Sequence, residues 1–414
     1  MNPPEQAAGA PPGCPAHRLD ELPRFPLARE CPMHPPSGYL AAGGHPLRQV
    51  RQWNGEPAWL VTRYEDVRTL LRDPRVSADA SAPGYPGQNP AATFIRKNYQ
   101  NFAQMDPPRH TADRRRLIGE FTVRQVETLR PRIQSYVDGL IDRMLAQGSA
   151  DFIADFAAPL PLQTICALLG APFEHYRMFQ SWARIVTSNA TPPEEATRRI
   201  REFCDGYLAD LVRAKDAAPQ DDLLSRLVVN HMRTGDLSLH EVVSIARVLL
   251  MAGHESTGST LGLGMLALLQ HPDQMRRLQA EPGLVKSAVE EILRYVDVTH
   301  FGRRRTATAD IAFGGVTIRA GEAMILLNHA ANRDPATFAD PDRFDIARNP
   351  ASHLAFGFGI HQCLGQPLAR LELQVAFGTL LRRLPGMRLA IAAEDIAFES
   401  DTSIYGLVSL PVAW

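Results

Sequence analysis

Cysteine is scarce in this chain. The 414 residues contain five, Cys14, Cys31, Cys166, Cys204 and Cys363, an odd number with no CxxC or other zinc-type spacing. That excludes a disulfide framework and a structural zinc site, and it fits a reducing cytoplasm. Net charge is also nearly absent. With 44 basic against 45 acidic residues the formal charge is −1, so no global field recruits nucleic acid or an anionic membrane. No stretch offers 18 clean apolar residues, and the N-terminus has no basic region followed by an apolar run. Neither a membrane span nor a signal peptide is expected, which leaves an unexported, cytoplasmic protein.

Apolar residues, by contrast, are plentiful: 45% of the chain is hydrophobic and 21% charged, enough to bury a large core. Ten of the first 36 residues are proline. Residues 1–20 are therefore expected as a flexible tail and 21–414 as a single domain. The segments LRQVRQW, NGEP and AWLVTRY read as strand, turn and strand, and EDVRTLLRD as a short amphipathic helix. From 111 to about 294 the periodicity is helical, whereas DIAFGGVTIRAGEAMILL alternates around a Gly-Gly turn. The fold class expected is mostly α with a smaller β-rich lobe. Ser238 and Glu241 form an S-x-x-E capping box, from which an apolar helix runs to Gln270. Its centre, MAGHESTGST, holds polar groups that need a reason inside a buried helix.

Residues 353–365, HLAFGFGIHQCLG, place a glycine-punctuated aromatic turn just before Cys363. Gly357 and Gly359 permit backbone that side chains forbid, while Phe356 and Phe358 supply flat apolar surface. Cys363 falls where the pattern QPLARLELQVAFGTLL begins a helix. Pro367 is tolerated in a first turn, and free N–H groups there would stabilise a thiolate and lower its pKa. A lone cysteine is ordinarily an inert buried thiol; the full F-G-x-G-x-H-x-C-x-G string reverses that expectation.

At this string the sequence resembles the cytochrome P-450 superfamily, whose haem-binding signature is matched by Phe356, Gly357, Gly359, His361, Cys363 and Gly365. The resemblance implies that fold, with haem b between the long central helix and the helix after Cys363, and Cys363 as the iron ligand. Other segments match in family order. EEILRY supplies the E-x-x-R pair Glu291 and Arg294, and DPDRF supplies Arg343, which in the family completes a buried network. DPPRHTADRRR provides His110 and Arg114, four residues apart on one helical face, as propionate ligands. Arg305 and His361 occupy the other propionate positions, so four donors would neutralise two carboxylates.

AGHEST resembles the family's A-G-x-[D/E]-T oxygen-activation segment. The resemblance implies that Gly253 leaves room for dioxygen beside haem, that Glu255 relays protons from solvent and that Ser256 organises the water delivering them. Serine replaces the usual threonine and loses the restraint of β-branching; Thr257 offers a second alcohol. His254 is assigned no step.

The function implied is a haem-thiolate monooxygenase that hydroxylates or epoxidises a hydrophobic small molecule such as a macrolide, polyketide, terpenoid, steroid or xenobiotic. It would use O2 and two electrons, drawn from NAD(P)H through a separate ferredoxin and ferredoxin reductase. Arg109, Arg115, Arg116 and Arg370 lie in the segments expected to face the ferredoxin. Phe94, Val298, Phe301, Ile404 and Tyr405 are expected to line an apolar substrate pocket. Two alternatives stay open: a nitric-oxide reductase of the same fold, against which Glu255 argues, and a non-catalytic haem carrier or sensor. Hydrolase and zinc-protease readings fail, because Ser256 is not in G-x-S-x-G and Gly258 stands where a second zinc-binding histidine is needed.

Overall fold

A computed structural model describes residues 22–40, 47–188, 191–350, 352–399 and 402–414. The expected tail at 1–20, and Cys14 with it, lie outside the described residues. Eight helices position the site: α1 (Tyr64–Arg72), α2 (Pro90–Asn98), α3 (Arg109–Ile118), α4 (Pro159–Leu169), α5 (Tyr176–Thr187), α6 (Leu239–Gln270), α7 (Val285–Tyr295) and α8 (Gln366–Arg383). The expected strand–turn–strand near the N-terminus is β1 (Leu47–Arg51) paired antiparallel with β2 (Pro57–Val61), with Leu47 opposite Val61. Two further strands, β3 (Val76–Ser77) and β4 (Arg303–Ala307), join β5 (Ala323–Leu326) in one sheet of order β1-β2-β5-β4-β3. The Gly-Gly turn is also as expected: Gly314 and Gly315 have φ of 57° and 81° and join Ile311–Phe313 to Val316–Ile318.

The helical and β-rich lobes have separate cores. The main core gathers residues from all along the helical region, whereas the sheet buries Leu47, Val61, Met324 and Leu326 on one face and Val50, Leu60 and Ile325 on the other. Every residue of β5 is buried, as its unbroken AMIL requires of a central strand covered on both faces.

The long helix α6 begins as its sequence predicts, with Ser238 Oγ accepting from Glu241 N and the Glu241 side chain accepting in return. Its 32 residues make a rod of roughly 48 Å, buried along both halves against α4 and its neighbours. Only near the middle does the face change, where Ala252 is exposed between half-buried Met251 and Gly253. No helix among the described residues is long and apolar enough to cross a membrane.

Candidate active site

Cys363 is held by backbone before any side chain acts. Its N–H donates to Phe356 O at 2.8 Å, and Gly357 N donates to Leu354 O at 2.8 Å, closing the turn on itself. Gly357 and Gly359 adopt φ of 70° and 74°, a region that penalises side chains. A Cβ on Gly359 would also lie 2.6 Å from Leu71 O, so the turn is pressed onto α1 as closely as backbone allows. Arg68 and Arg72 of α1 stack over Phe358 at 4.7 and 4.4 Å, and Arg370 of α8 over Phe356 at 4.5 Å. Gly365, whose N–H reaches Cys363, faces open space.

The expectation of a lowered Cys363 pKa is corrected. Burial raises it, and this outweighs Arg303, the Gly365 N–H, Arg114 and Arg370, all of which favour the thiolate. Binding a metal would tip that balance, since coordination requires the deprotonated sulfur. Cys363 is half-buried. Cys166 and Cys204 are sealed in the core with thiols pushed up to about 12 by burial, and Cys31 is exposed.

His110, Arg114, Arg305 and His361 converge. The imidazoles of His110 and His361 lie 4.2 Å apart with their ring nitrogens shielded from water, those of His361 without a hydrogen-bond partner and His110 within reach of the Ile360 backbone. Burial and then the positive charge of Arg305, His110 and Arg114 push His361 down to about 3. Arg114 carries no ion pair among the described residues, and Arg305 donates only to Arg304 O, at 2.7 Å. Asp106 is the one acid felt by both His110 and Arg305, and it is already bonded to the Ser77 hydroxyl and to Ala78 N. Buried donors without acceptors are costly in a finished structure. Such a set fits a ligand that brings two carboxylates, as haem does, and these residues with Cys363 would hold it.

Glu255 and Ser256, expected to handle protons, stand near the centre of α6. Glu255 is pushed up to about 7, first by burial and then by repulsion from Glu399, with Arg184 acting the other way. Arg184 of α5 and Glu399 of the C-terminal hairpin are 3.5 Å apart and reach solvent, with side chains 75% and 35% exposed. Ser256 Oγ donates to Ala252 O at 3.0 Å, which leaves its lone pairs to accept. At Gly253 a Cβ would lie 2.8 Å from Ile165 Cγ1, so the glycine lets α6 approach α4 closely. His254 is buried and bonds back to Leu250 O at 2.9 Å, a structural role.

The buried network is corrected at one position. Glu291 and Arg294 are fully buried and paired through two 2.8 Å bonds, and Arg294 also donates to Asn332 O and Pro341 O. The third side chain is Arg348, whose Nε lies 3.2 Å from Glu291 Oε1. Arg343 contributes only its carbonyl; its side chain is 65% exposed and turned toward Asp345. Sequence reasoning also missed Glu290, which accepts from His353 Nε2 at 3.0 Å and from Arg370 at 2.7 and 3.0 Å. Burial alone would raise that carboxyl, but these hydrogen bonds bring it down to about 2. A signal was present: adjacent helical residues point about 100° apart, so with Glu291 facing Arg294 its neighbour must serve another partner.

Of the pocket candidates, Phe94, Val298 and Ile404 belong to the main core. Phe301 does not: it packs on Phe25, Tyr39 and Ile325 under the sheet. Tyr405 is 3% exposed, its ring enclosed by Arg29, His300 and Phe398.

A family profile described as Cytochrome P450 matches residues 162–385. Cytochrome P450-SU2 of Streptomyces griseolus is 46% identical over 93% of this chain and 94% of its own length. The 20-oxo-5-O-mycaminosyltylactone 23-monooxygenase of Streptomyces fradiae is 43% identical over 94% of this chain and 92% of its own. Among solved structures, mycinamicin VIII C21 methyl hydroxylase MycCI of Micromonospora griseorubida superimposes with a TM-score of 0.89 at 39% identity, covering 95% of this chain and 100% of that one. At such identity and coverage the chain belongs to the cytochrome P450 family, and its enzyme class is monooxygenase.

Proposed function

We propose that one domain, residues 21–414, binds haem b and hydroxylates or epoxidises a bulky hydrophobic small molecule of the macrolide, polyketide, terpenoid, steroid or xenobiotic kind in the cytoplasm. The observation that carries this reading is the convergence beside Cys363 of four nitrogen-bearing side chains, His110, Arg114, Arg305 and His361, with no carboxylate ion-paired to any of them among the described residues. The relatives that act on macrolide-type substrates support the substrate class.

When bound, haem supplies dioxygen activation, with the thiolate's electron donation favouring O–O cleavage. The chain supplies the rest. His110, Arg114, Arg305 and His361 neutralise the propionates, and Gly357 and Gly359 present the sulfur. Glu255, its carboxyl raised to about 7 chiefly by burial, passes a proton inward and is recharged from solvent past Glu399 and Arg184. Ser256 Oγ, with its own proton given to Ala252 O, accepts from a water and holds it in line with that acid. This acid also argues against the nitric-oxide reductase alternative.

Electrons come from a ferredoxin and its NAD(P)H-dependent reductase. The docking arginines need revision. Arg109 pairs with Glu241 at 2.8 Å, Arg116 with Asp113 and Asp236 at 2.6 Å each, and Arg370 with Glu290. Arg115 remains exposed and without an ion pair among the described residues. Ile360 stands 53% exposed in the cysteine loop beside His361. An apolar tip with a free cation near it suits an acidic partner.

The test is a compound screen on haem-loaded protein for a low- to high-spin shift, followed by turnover of the hits with ferredoxin and reductase under isotopically labelled dioxygen. One labelled oxygen atom in the product is expected. Nicotinamide consumption with nitric oxide but no labelled product from any spin-shifting compound would overturn the reading.

A further inference from the structure

Four of the five predicted pocket residues, Val298, Phe301, Ile404 and Tyr405, sit on two loops that are already tied together. Tyr405 N donates to Val298 O at 2.9 Å, and Thr299 bridges Ile404 in antiparallel fashion. Thr299 is in turn fixed by Asp297, whose Oδ1 accepts from its N at 3.0 Å and from its hydroxyl at 2.5 Å. The inner sides of these loops carry Val298 and Ile404 into the main core.

Their outer side is covered by the segment before the sheet. Arg29 lies with its guanidinium 3.9 Å from the Tyr405 ring centroid. Its Nη1 donates to His34 O at 2.8 Å, which anchors the arginine to its own segment. Nε and Nη2 are buried and make no hydrogen bond, and Arg29 has no ion pair among the described residues. The guanidinium therefore serves as a flat plate over an aromatic ring. Phe398 stacks on the same ring at 5.8 Å with an interplanar angle of 16°, and His300 packs at 5.5 Å, so Tyr405 is fixed from several sides. Arg29, Asp297 and Tyr405 also share one small cavity with His329, which is 4% exposed.

We infer that Arg29, though outside the substrate pocket, is a positioning residue for substrate size: pressed on Tyr405, it fixes the separation of the loops bearing Val298 and Ile404 and so the width of the pocket. The inference rests on those two residues lining the pocket of a P450. Loss of the plate lets Tyr405 move, and a ligand large enough to touch both loops must then order them on binding. A ligand that meets only iron is unaffected.

The test uses haem-loaded protein and two azoles that ligate iron, imidazole and econazole, with affinities read from the shift of the haem spectrum. In Arg29→Met the econazole Kd should rise about fivefold or more, the scale of a partly buried cation–π contact, while imidazole binding, melting temperature and the CO spectrum hold. Hydrogen exchange in 297–301 and 404–407 should quicken in the same variant. Arg29→Lys keeps the charge without the plane and should fall between; it carries the test if the methionine variant does not load haem. In a Tyr405→Leu background Arg29→Met should add nothing. An unchanged econazole-to-imidazole ratio in the haem-loaded variant, or an effect that persists undiminished without Tyr405, overturns the inference. Failure of wild-type protein to ligate imidazole would instead refute the P450 reading.

Discussion

Cys166, Cys204 and Cys363 are chemically identical and differ by what surrounds them. Burial raises all three thiols, but Cys363 alone is opposed by the Gly365 N–H and three arginines, where Cys204 has Arg247 and Cys166 has no such group. Cys363→Ser should abolish the thiolate-type CO difference spectrum and turnover, while Cys31→Ser, Cys166→Ala and Cys204→Ala retain both; the reduced CO spectrum is the measurement. Glu255 makes a second comparison. With its carboxyl near 7 it is a donor below that pH and loses the role as pH rises through it. Coupling of product to nicotinamide consumed should therefore fall above about pH 7. Glu399→Gln removes a repulsion and should move the midpoint down, Arg184→Gln should move it up, and Glu255→Gln should flatten the profile with more peroxide released. Ser256→Thr restores β-branching and should hold or improve coupling.

The elements are joined through charges buried between them. Glu291 on α7 is shared by Arg294 on its own helix and Arg348 in the irregular segment beyond β5, so removing either arginine leaves a buried carboxylate short of a partner. Arg294→Leu should cost about 3–5 kcal/mol and impair haem loading. Arg348→Met should cost less because it is partly exposed, and Arg343→Ala should stay within about 0.5 kcal/mol; urea unfolding of the three variants checks the ranking. Glu372 on α8 offers the opposite sign. Burial raises its carboxyl to about 8, with Thr164 opposing, and its Oε1 has no partner. Its folded pKa exceeds the unfolded one, so stability that is complete below about pH 4.5 is lost as pH rises to about 8. Glu372→Gln should melt higher than wild type at pH 9, with the gap closing toward pH 4.5.

Over the whole molecule, three of the four arginines expected to face a ferredoxin are engaged within the chain. Arg109, Arg116 and Arg370 each have an acidic partner, and the proposed docking therefore rests on Arg115 and the exposed Ile360. Ile360→Asp should raise the KM for ferredoxin at all ionic strengths, whereas Arg115→Glu should do so mainly at low salt, where a surface charge is least screened. Steady-state reduction kinetics at two salt concentrations separate the two, and azole binding in both variants should match wild type.

Features set within a few residues of chain were legible before the fold was known. The glycine-bracketed turn, the Ser238–Glu241 box, the Gly314–Gly315 hairpin and the Glu291–Arg294 pair all depend on local backbone geometry or on one turn of helix, and the structure has each of them where the sequence places it. What tertiary structure decided was which distant partner each side chain meets. Arg348 reaches Glu291 in place of Arg343, and Phe301 joins the sheet core instead of the pocket. Tyr405 turns back to Arg29, 376 residues away in sequence. Long arginines and aromatic rings have several rotamers of similar energy, and the choice among them falls to the charges and surfaces that packing brings up from elsewhere in the chain.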